Sequence, residues 1–158
     1  MGKPPLLSDT QRQLWQKVAV LLFELPAALE TQLQYSAGMT HFEWSALALL
    51  AQAPAQTLQL SALARVAHSS LPRTSQVVTR LEKRGWVRRD PSPHDYRARL
   101  IVLTDLGRAE LAAARPGHHQ TIQALVFNGL DTTQVEHLDA LCDRLLGNID
   151  TYRDTAGT

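Results

Sequence analysis

The stretch "LEKRGWVRRDPSPHDYRARLIVLTDLG", residues 81–107, decides the fold of this chain. It carries six Lys and Arg residues on both sides of a proline-containing segment, and it continues into the aliphatic run "RLIVLT". Because β-branched and aliphatic runs favour strands and "DPSPHDY" favours a loop, residues 86–89 and 97–103 are predicted to form a β-hairpin. A hairpin this basic indicates a surface that meets an anionic partner.

The charge is unevenly distributed along the chain. The formal net charge of the whole chain is only +1, but residues 60–115 hold eleven Lys and Arg against five acidic residues, a charge of +6. The other residues hold five Lys and Arg against ten acidic residues, a charge of −5. This segregation indicates a basic functional surface on an otherwise acidic protein. The alternative is a solvated basic face without a partner.

The bulk composition is typical of a globular protein with one domain. The chain has 158 residues, of which 44% are hydrophobic and 20% charged, and no window approaches the roughly 18 apolar residues of a membrane span. The opening "MGKPPLLSDTQRQ" lacks a secretory segment, and a single cysteine, Cys142, excludes an internal disulfide and a Cys-based zinc cluster. We therefore expect a cytoplasmic protein with no membrane partner, metal or cofactor.

The segment before the hairpin is predicted to be helical. Leucines spaced by three and four residues indicate a helix over residues 8–35, and Thr40 with Glu43 forms a capping box at the start of a second helix. A short helix over residues 59–67 and a helix over residues 71–84 follow, with Ser70 as the N-cap of the latter and Gly85 at its end.

Two further helices are predicted after the hairpin. Thr104 is the expected N-cap of a helix from residue 105, which Pro116–Gly117 interrupts before it resumes towards residue 127. Asp131 caps a final helix with an apolar stripe, beside which we expect Cys142 to be buried and unreactive. The stripe consists of Leu138, Leu141, Leu145 and Ile149.

This order of elements predicts a mainly α fold with a small β-hairpin wing, that is, a winged helix-turn-helix. In the helix over residues 71–84, Thr74, Val77, Val78 and Leu81 form the packing face. Arg73, Gln76, Arg80 and Arg84 lie on a neighbouring face that is free to enter a DNA major groove.

The chemistry of these side chains assigns roles within that face. Arg suits guanine and Gln suits adenine, so Arg73 and Gln76, near the helix N-terminus, are the expected base readers, whereas Arg80, Lys83 and Arg84 are expected at phosphates. Arg97 is predicted to insert into a minor groove, with Arg88, Arg89 and Arg99 nearby to meet the DNA backbone. Asp95 is expected to orient an arginine or to cap the turn. The candidate DNA-binding residues are Ser70, Arg73, Ser75, Gln76, Arg80, Lys83, Arg84, Arg88, Asp95, Arg97 and Arg99.

Residues 61–111 resemble the winged helix-turn-helix of the MarR family of bacterial transcriptional regulators. The matching landmarks are Leu63–Ala64, "VVTRLEKRGWVRR", Asp95-x-Arg97-Ala98 and "LTDLGR", in the order and spacing of the family. Tyr96 departs from the pattern, because the family commonly has Arg there, and one cation is therefore missing from the wing tip.

The resemblance implies the organisation of the whole chain. Residues 1–158 would form one MarR-like domain, in which residues 8–38 and 105–155 are dimerisation helices around a DNA-binding lobe at residues 40–104. A homodimer of this kind would repress transcription from a pseudo-palindromic DNA operator. The wide apolar stripes of the first and last helices independently favour a dimer.

The resemblance also implies a small, phenolic or apolar anionic effector that releases the protein from DNA. The polar-tipped aromatic residues that could line its cleft are Trp15, Tyr35, His41, Trp44 and His118, although tryptophans such as Trp15 and Trp44 are more often core residues. Adjacent His118 and His119 make a poor metal site without carboxylate partners.

Two other function classes remain open at this stage. A helical protein-interaction module could use the basic hairpin to meet an acidic protein, and it would show no preference among DNA sequences. An enzyme is disfavoured, because the sequence offers no nucleophile–base constellation, glycine-rich phosphate loop or metal-ligand cluster.

Overall fold

The computed structural model describes residues 6–92 and 99–156 and is mainly helical with a small antiparallel sheet. The elements are α1 (Asp9–Ala37), α2 (His41–Gln52), β1 (Thr57–Gln59), α3 (Leu60–Val66), α4 (Leu71–Lys83), β2 (Val87–Pro91), β3 (Arg99–Leu103), α5 (Asp105–Ile122) and α6 (Thr132–Ala156). The winged helix fold predicted from the sequence is confirmed.

The predicted helix starts are confirmed by side-chain capping. The hydroxyl of Thr40 accepts a hydrogen bond from the Glu43 backbone N–H, and the Glu43 carboxylate accepts one from the Thr40 N–H, which completes the capping box of α2. Ser70 caps α4, and Asp131 accepts a hydrogen bond from the backbone N–H of Gln134 at the start of α6. These contacts satisfy backbone N–H groups that have no partner inside a helix.

The sheet has three strands rather than the two of the predicted hairpin. β3 is central, and β1 pairs with it through Thr57↔Val102. β1 was not predicted because it is three residues long, too short for an alternating pattern. β2 also runs past residue 89, since Pro91 pairs with Arg99 at the end of the ladder; the loop therefore begins later than predicted.

The hydrophobic core joins the helices to this sheet. The packing face of α4 is buried as predicted, and it meets residues of α2, β2 and β3 in one cluster. Fully buried members include Leu47, Leu63, Val78, Leu81 and Ile101. The core therefore fixes α4 against α2 and leaves its other face exposed.

α5 is continuous through Pro116, contrary to the predicted interruption. A proline in a helix interior removes one N–H donor but does not always end the helix. Here Ala112–Ala114 favour helix before it, and the buried His118 holds the turn after it by packing. The first turn of α5 closely approaches the backbone of Trp86, the residue before β2. A Cβ on Gly107 would lie 2.1 Å from the Trp86 carbonyl oxygen, so only glycine fits there.

The chain divides into two compact units, and the second begins at Ile122. This second unit contains a π-helical turn (Gln123–Phe127) and α6. Cys142 is exposed in the protomer, so the predicted buried thiol is wrong for the single chain; the side chains beside it face outward too. No helix among the described residues is long and apolar enough to cross a membrane.

Candidate nucleic-acid interface

The N-terminal half of α4 presents the residues predicted to read bases. Ser70 caps the helix by accepting a hydrogen bond from the backbone N–H of Arg73 at 3.4 Å, and Pro72 occupies the first turn, where its missing N–H has no cost. Arg73 and Gln76 are exposed, and Ser75 is half-buried. The helix therefore displays an arginine and a glutamine one turn apart at its start.

The Arg73 guanidinium lies over the ring of Phe42, with 5.0 Å between its Cζ and the ring centroid. Phe42 belongs to the first turn of α2 and packs partly buried against the core. Contacts of this kind are attractive because the ring face is electronegative. One proposed base reader is thus supported by an aromatic side chain that the sequence analysis did not single out.

The C-terminal half of α4 is tied to α2 through Glu43. The Glu43 side chain is only 3% exposed, and its carboxylate accepts a hydrogen bond from Nε of Arg80 at 3.0 Å. Arg84 lies 4.0 Å from the same carboxylate. A buried carboxylate needs such partners, and here it receives them from the helix that carries the basic face.

Arg84 makes several contacts inside the protein, unlike a solvated arginine that is free to bind phosphate. Its Nη1 donates to the Gly38 carbonyl oxygen at 2.8 Å, and its guanidinium lies 4.6 Å from the ring centroid of Trp86. Lys83, beside it, is exposed. The structure therefore gives Arg84 a packing role between the end of α1 and the start of the sheet, in addition to any contact with phosphate.

The two arginines at the base of the wing differ in their surroundings. Arg88 is exposed and pairs with Asp90 at 3.0 Å. Arg89 is half-buried and reaches α4, where it pairs with Glu82 at 2.7 Å and donates to the hydroxyl of Thr79 at 2.9 Å. Arg89 therefore links β2 to α4. The sequence had predicted only that it would lie near the DNA backbone.

The rest of the predicted wing is only partly described. Arg99 is exposed at the start of β3. Asp95, Tyr96 and Arg97 lie outside the described residues, so their assigned roles at the wing tip stay predictions.

The predicted effector residues do not form one group. His41, Trp44 and His118 come together: the ring centroids of His118 and Trp44 are 4.0 Å apart, and those of His118 and His41 are 5.7 Å apart. Trp15 and Tyr35 lie on α1 with exposed fractions of 56% and 94%. Twenty residues of helix separate them by about 30 Å, so both cannot line one compact pocket in a protomer.

Burial sets the protonation of the histidine pair. His118 is 1% exposed, and Nδ1 of its ring lies 3.3 Å from Oε1 of Gln32. Desolvation lowers the pKa of His118, with further lowering from His41 and His119; desolvation also lowers the pKa of His41, although Glu30 opposes it. Both rings therefore favour the neutral form.

A cleft of about 550 Å³ lies between α1, α2 and α4. Its apolar lining includes Pro26, Phe42 and Val77, and its polar lining includes Glu30, His41 and Arg73. Within the described parts of the chain, no group of three His, Cys, Asp or Glu residues could hold a metal ion. The volume of the cleft is in the range of small-molecule sites.

The fold and the exposed face of α4 define a winged helix protein, and comparisons with known proteins specify its family. A model of the MarR family matches residues 39–98. The crystal structure of Sco3205, a MarR family transcriptional regulator from Streptomyces coelicolor in complex with DNA, is 33% identical with a TM-score of 0.88, over 92% of this chain and 91% of that chain. This chain belongs to the MarR family.

One further structure shares the fold, and one further relative is similar in sequence. The structure of AbsC, also from Streptomyces coelicolor, has a TM-score of 0.86 at 24% identity, over 93% of this chain and 99% of that chain, which supports the fold alone. The transcriptional repressor MprA of Escherichia coli (strain K12) is 29% identical over 113 residues, which are 72% of this chain and 64% of MprA. These relatives are named as regulators, not as enzymes.

Proposed function

We propose that this protein is a transcriptional regulator that binds double-stranded DNA in a sequence-specific manner through α4. The observation that carries the proposal is the exposed face of α4, where Arg73 and Gln76 stand at the end of the helix that enters the major groove in helix-turn-helix proteins. Sco3205, whose structure contains DNA, supports it at 33% identity.

The contacts within the basic face suggest a division of roles. Arg73 and Gln76 read bases, because their side chains match the hydrogen-bonding edges of guanine and adenine. Arg80, Lys83, Arg84, Arg88 and Arg99 supply positive charge to the phosphates, which adds affinity without sequence preference.

The protein acts as a homodimeric repressor on a pseudo-palindromic operator. Exposed apolar side chains on α1, such as Leu14 and Leu21, and on α6, such as Leu141 and Leu145, would be covered in a dimer. MprA, a repressor by name, supports the direction of regulation. Two copies of α4 would read half-sites about one helical turn of DNA apart.

A small phenolic or apolar anionic effector releases the protein from DNA by occupying the cleft between α1, α2 and α4. The same cleft is lined by Arg73, Gln76 and Arg80, so a bound anion would compete with DNA for these side chains. His41, which also lines the cleft, connects it to the ring cluster with Trp44 and His118.

Selection from a pool of randomised DNA duplexes tests the central proposal. We expect wild-type protein to enrich a two-fold symmetric sequence, and Arg73→Ala to lose discrimination at one base position per half-site, at a cost of about 1–3 kcal/mol. Binding without enrichment, abolished by moderate salt, would contradict sequence-specific regulation and favour an acidic protein partner for the basic hairpin.

Displacement by salicylate, an aromatic anion, tests the effector proposal on the selected duplex. We expect salicylate to release labelled DNA from the wild-type protein, with benzyl alcohol as the uncharged control. An Ala27→Trp variant, which enlarges an exposed side chain that lines the cleft, should bind no salicylate in a direct titration. Release of equal extent by both compounds would contradict recognition of an anion in this cleft.

A further inference from the structure

We propose that Phe42 is a positioning residue for base readout, which holds the Arg73 guanidinium in the orientation that meets a base edge. The inference rests on the proposed function, because it assigns Arg73 to reading DNA. It is carried by the position of the Arg73 guanidinium over the Phe42 ring, with 5.0 Å from Arg73 Cζ to the ring centroid.

Phe42 is the fixed member of the pair. It lies in the first turn of α2, directly between the residues that secure that turn: the backbone N–H of His41 donates to Glu30 at 2.7 Å, and Glu43 closes the capping box with Thr40. The Phe42 side chain also packs against the hydrophobic core. The ring is therefore anchored by α1 and α2 together.

Arg73 is the adaptable member. It is exposed near the start of α4, and an unsupported arginine side chain samples many rotamers that must be lost when it binds. A ring beneath the guanidinium reduces that loss, because part of the ordering is already present in the free protein. Phe42 thus lowers the cost of placing Arg73 at a base.

The contact with Phe42 also preserves the chemistry that base recognition needs. Its partner is an aromatic ring and not a hydrogen-bond acceptor, so the N–H donors of the guanidinium stay available for the two acceptors of guanine. Arg80 shows the contrasting arrangement, because its Nε already donates to Glu43 at 3.0 Å. Arg73 is oriented without losing its donors, whereas Arg80 is held through one of them.

The test compares ring-containing and ringless variants at Phe42. The preferred duplex from the selection experiment and a set of single-base-pair substitutions are titrated with wild type, Arg73→Ala, Phe42→Leu and Phe42→Tyr. We expect Phe42→Leu to reduce discrimination about two- to fivefold, only at the base pair that Arg73→Ala identifies, which is the effect of an exposed cation–π contact. Phe42→Tyr, which keeps the ring, should retain wild-type discrimination.

Two controls separate positioning from general loss of structure. Leu49→Ala removes another side chain of α2 that packs against the same core, and it should lower thermal stability without changing the base preference. In the double variant Phe42→Leu/Arg73→Ala, the Phe42 change should have no further effect on discrimination.

The outcomes distinguish this inference from the proposed function. If Arg73→Ala loses discrimination at one position and Phe42→Leu does not, Phe42 is not a positioning residue and the proposed function stands. Uniform weakening on every duplex by Phe42→Leu would likewise overturn the inference. If the wild-type protein shows no base preference at all, the proposed function fails, and the inference fails with it.

Discussion

The buried carboxylate of Glu43 in α2 accepts a hydrogen bond from Nε of Arg80 in α4, with 3.0 Å between the two atoms. The same carboxylate caps α2 through the backbone N–H of Thr40. One side chain therefore joins the start of α2 to the basic face of α4, and this linkage determines how α4 is presented.

Glu43→Gln should destabilise the protein by about 1–3 kcal/mol, because it replaces the charge-assisted partner of Arg80 at a buried position. The capping hydrogen bond is retained, since glutamine also closes a capping box. Urea unfolding measures the change, with the exposed Glu24→Gln as the control. A loss no larger than that of Glu24→Gln would show that the ion pair contributes little.

Arg89→Ala and Arg88→Ala should differ although the residues are adjacent. Arg89 joins β2 to Glu82 and Thr79 of α4, so its loss should lower both the unfolding temperature and DNA affinity. Arg88 is exposed, and its loss should reduce only the affinity and its dependence on salt. Calorimetry and DNA titration check the pair, and equal unfolding temperatures would contradict the proposed role of Arg89.

Gly107→Ala should destabilise the protein by about 1–3 kcal/mol, because the new Cβ would clash with the Trp86 carbonyl oxygen, 2.1 Å away, and force α5 to shift. Gly147→Ala is the matched control, since a Cβ there meets nothing within 4 Å in the protomer. That control should be neutral or stabilising by up to about 1 kcal/mol. The denaturant midpoints of the two variants, compared with that of wild type, measure these changes in stability.

Acidification should destabilise the protein through His118. Since burial lowers the pKa of His118 in the folded state, the unfolded chain binds protons more readily once the pH falls below about 6.5, and the free energy of unfolding decreases there. His118→Gln should therefore lose less thermal stability than wild type between about pH 7.5 and about pH 5.5. The exposed His137→Gln is the control, and identical pH profiles for wild type and His118→Gln would exclude this contribution.

Local sequence patterns predicted most of the fold because its helices begin with side-chain caps that involve near neighbours. Ser70 and the Thr40–Glu43 pair each act within three residues, so the sequence contains the whole interaction. β1 was not predicted because three residues carry no periodicity, and α5 continues past Pro116 because packing holds the turn after it, where His118 is buried. Where an element depends on packing against distant residues, the local sequence pattern alone did not predict it.

The basic face of α4 was predictable for the same reason, since it follows from helical spacing alone. The contacts that support this face were not predictable, because they join distant parts of the chain: Glu43 and Arg80 are 37 positions apart. The aromatic character of Phe42 offered no indication of its partner. Contacts of this kind arise from packing, which a single sequence records only indirectly.

Fluorescence anisotropy on a duplex from upstream of the protein's own gene tests the central claim most directly. Wild type and Arg73→Ala are titrated at low and moderate salt, with a scrambled duplex of equal length as the control. We predict that wild type prefers the upstream duplex at both salt concentrations and that Arg73→Ala loses most of this preference while still binding at low salt. Equal binding of wild type to both duplexes, abolished by moderate salt, would contradict sequence recognition by α4.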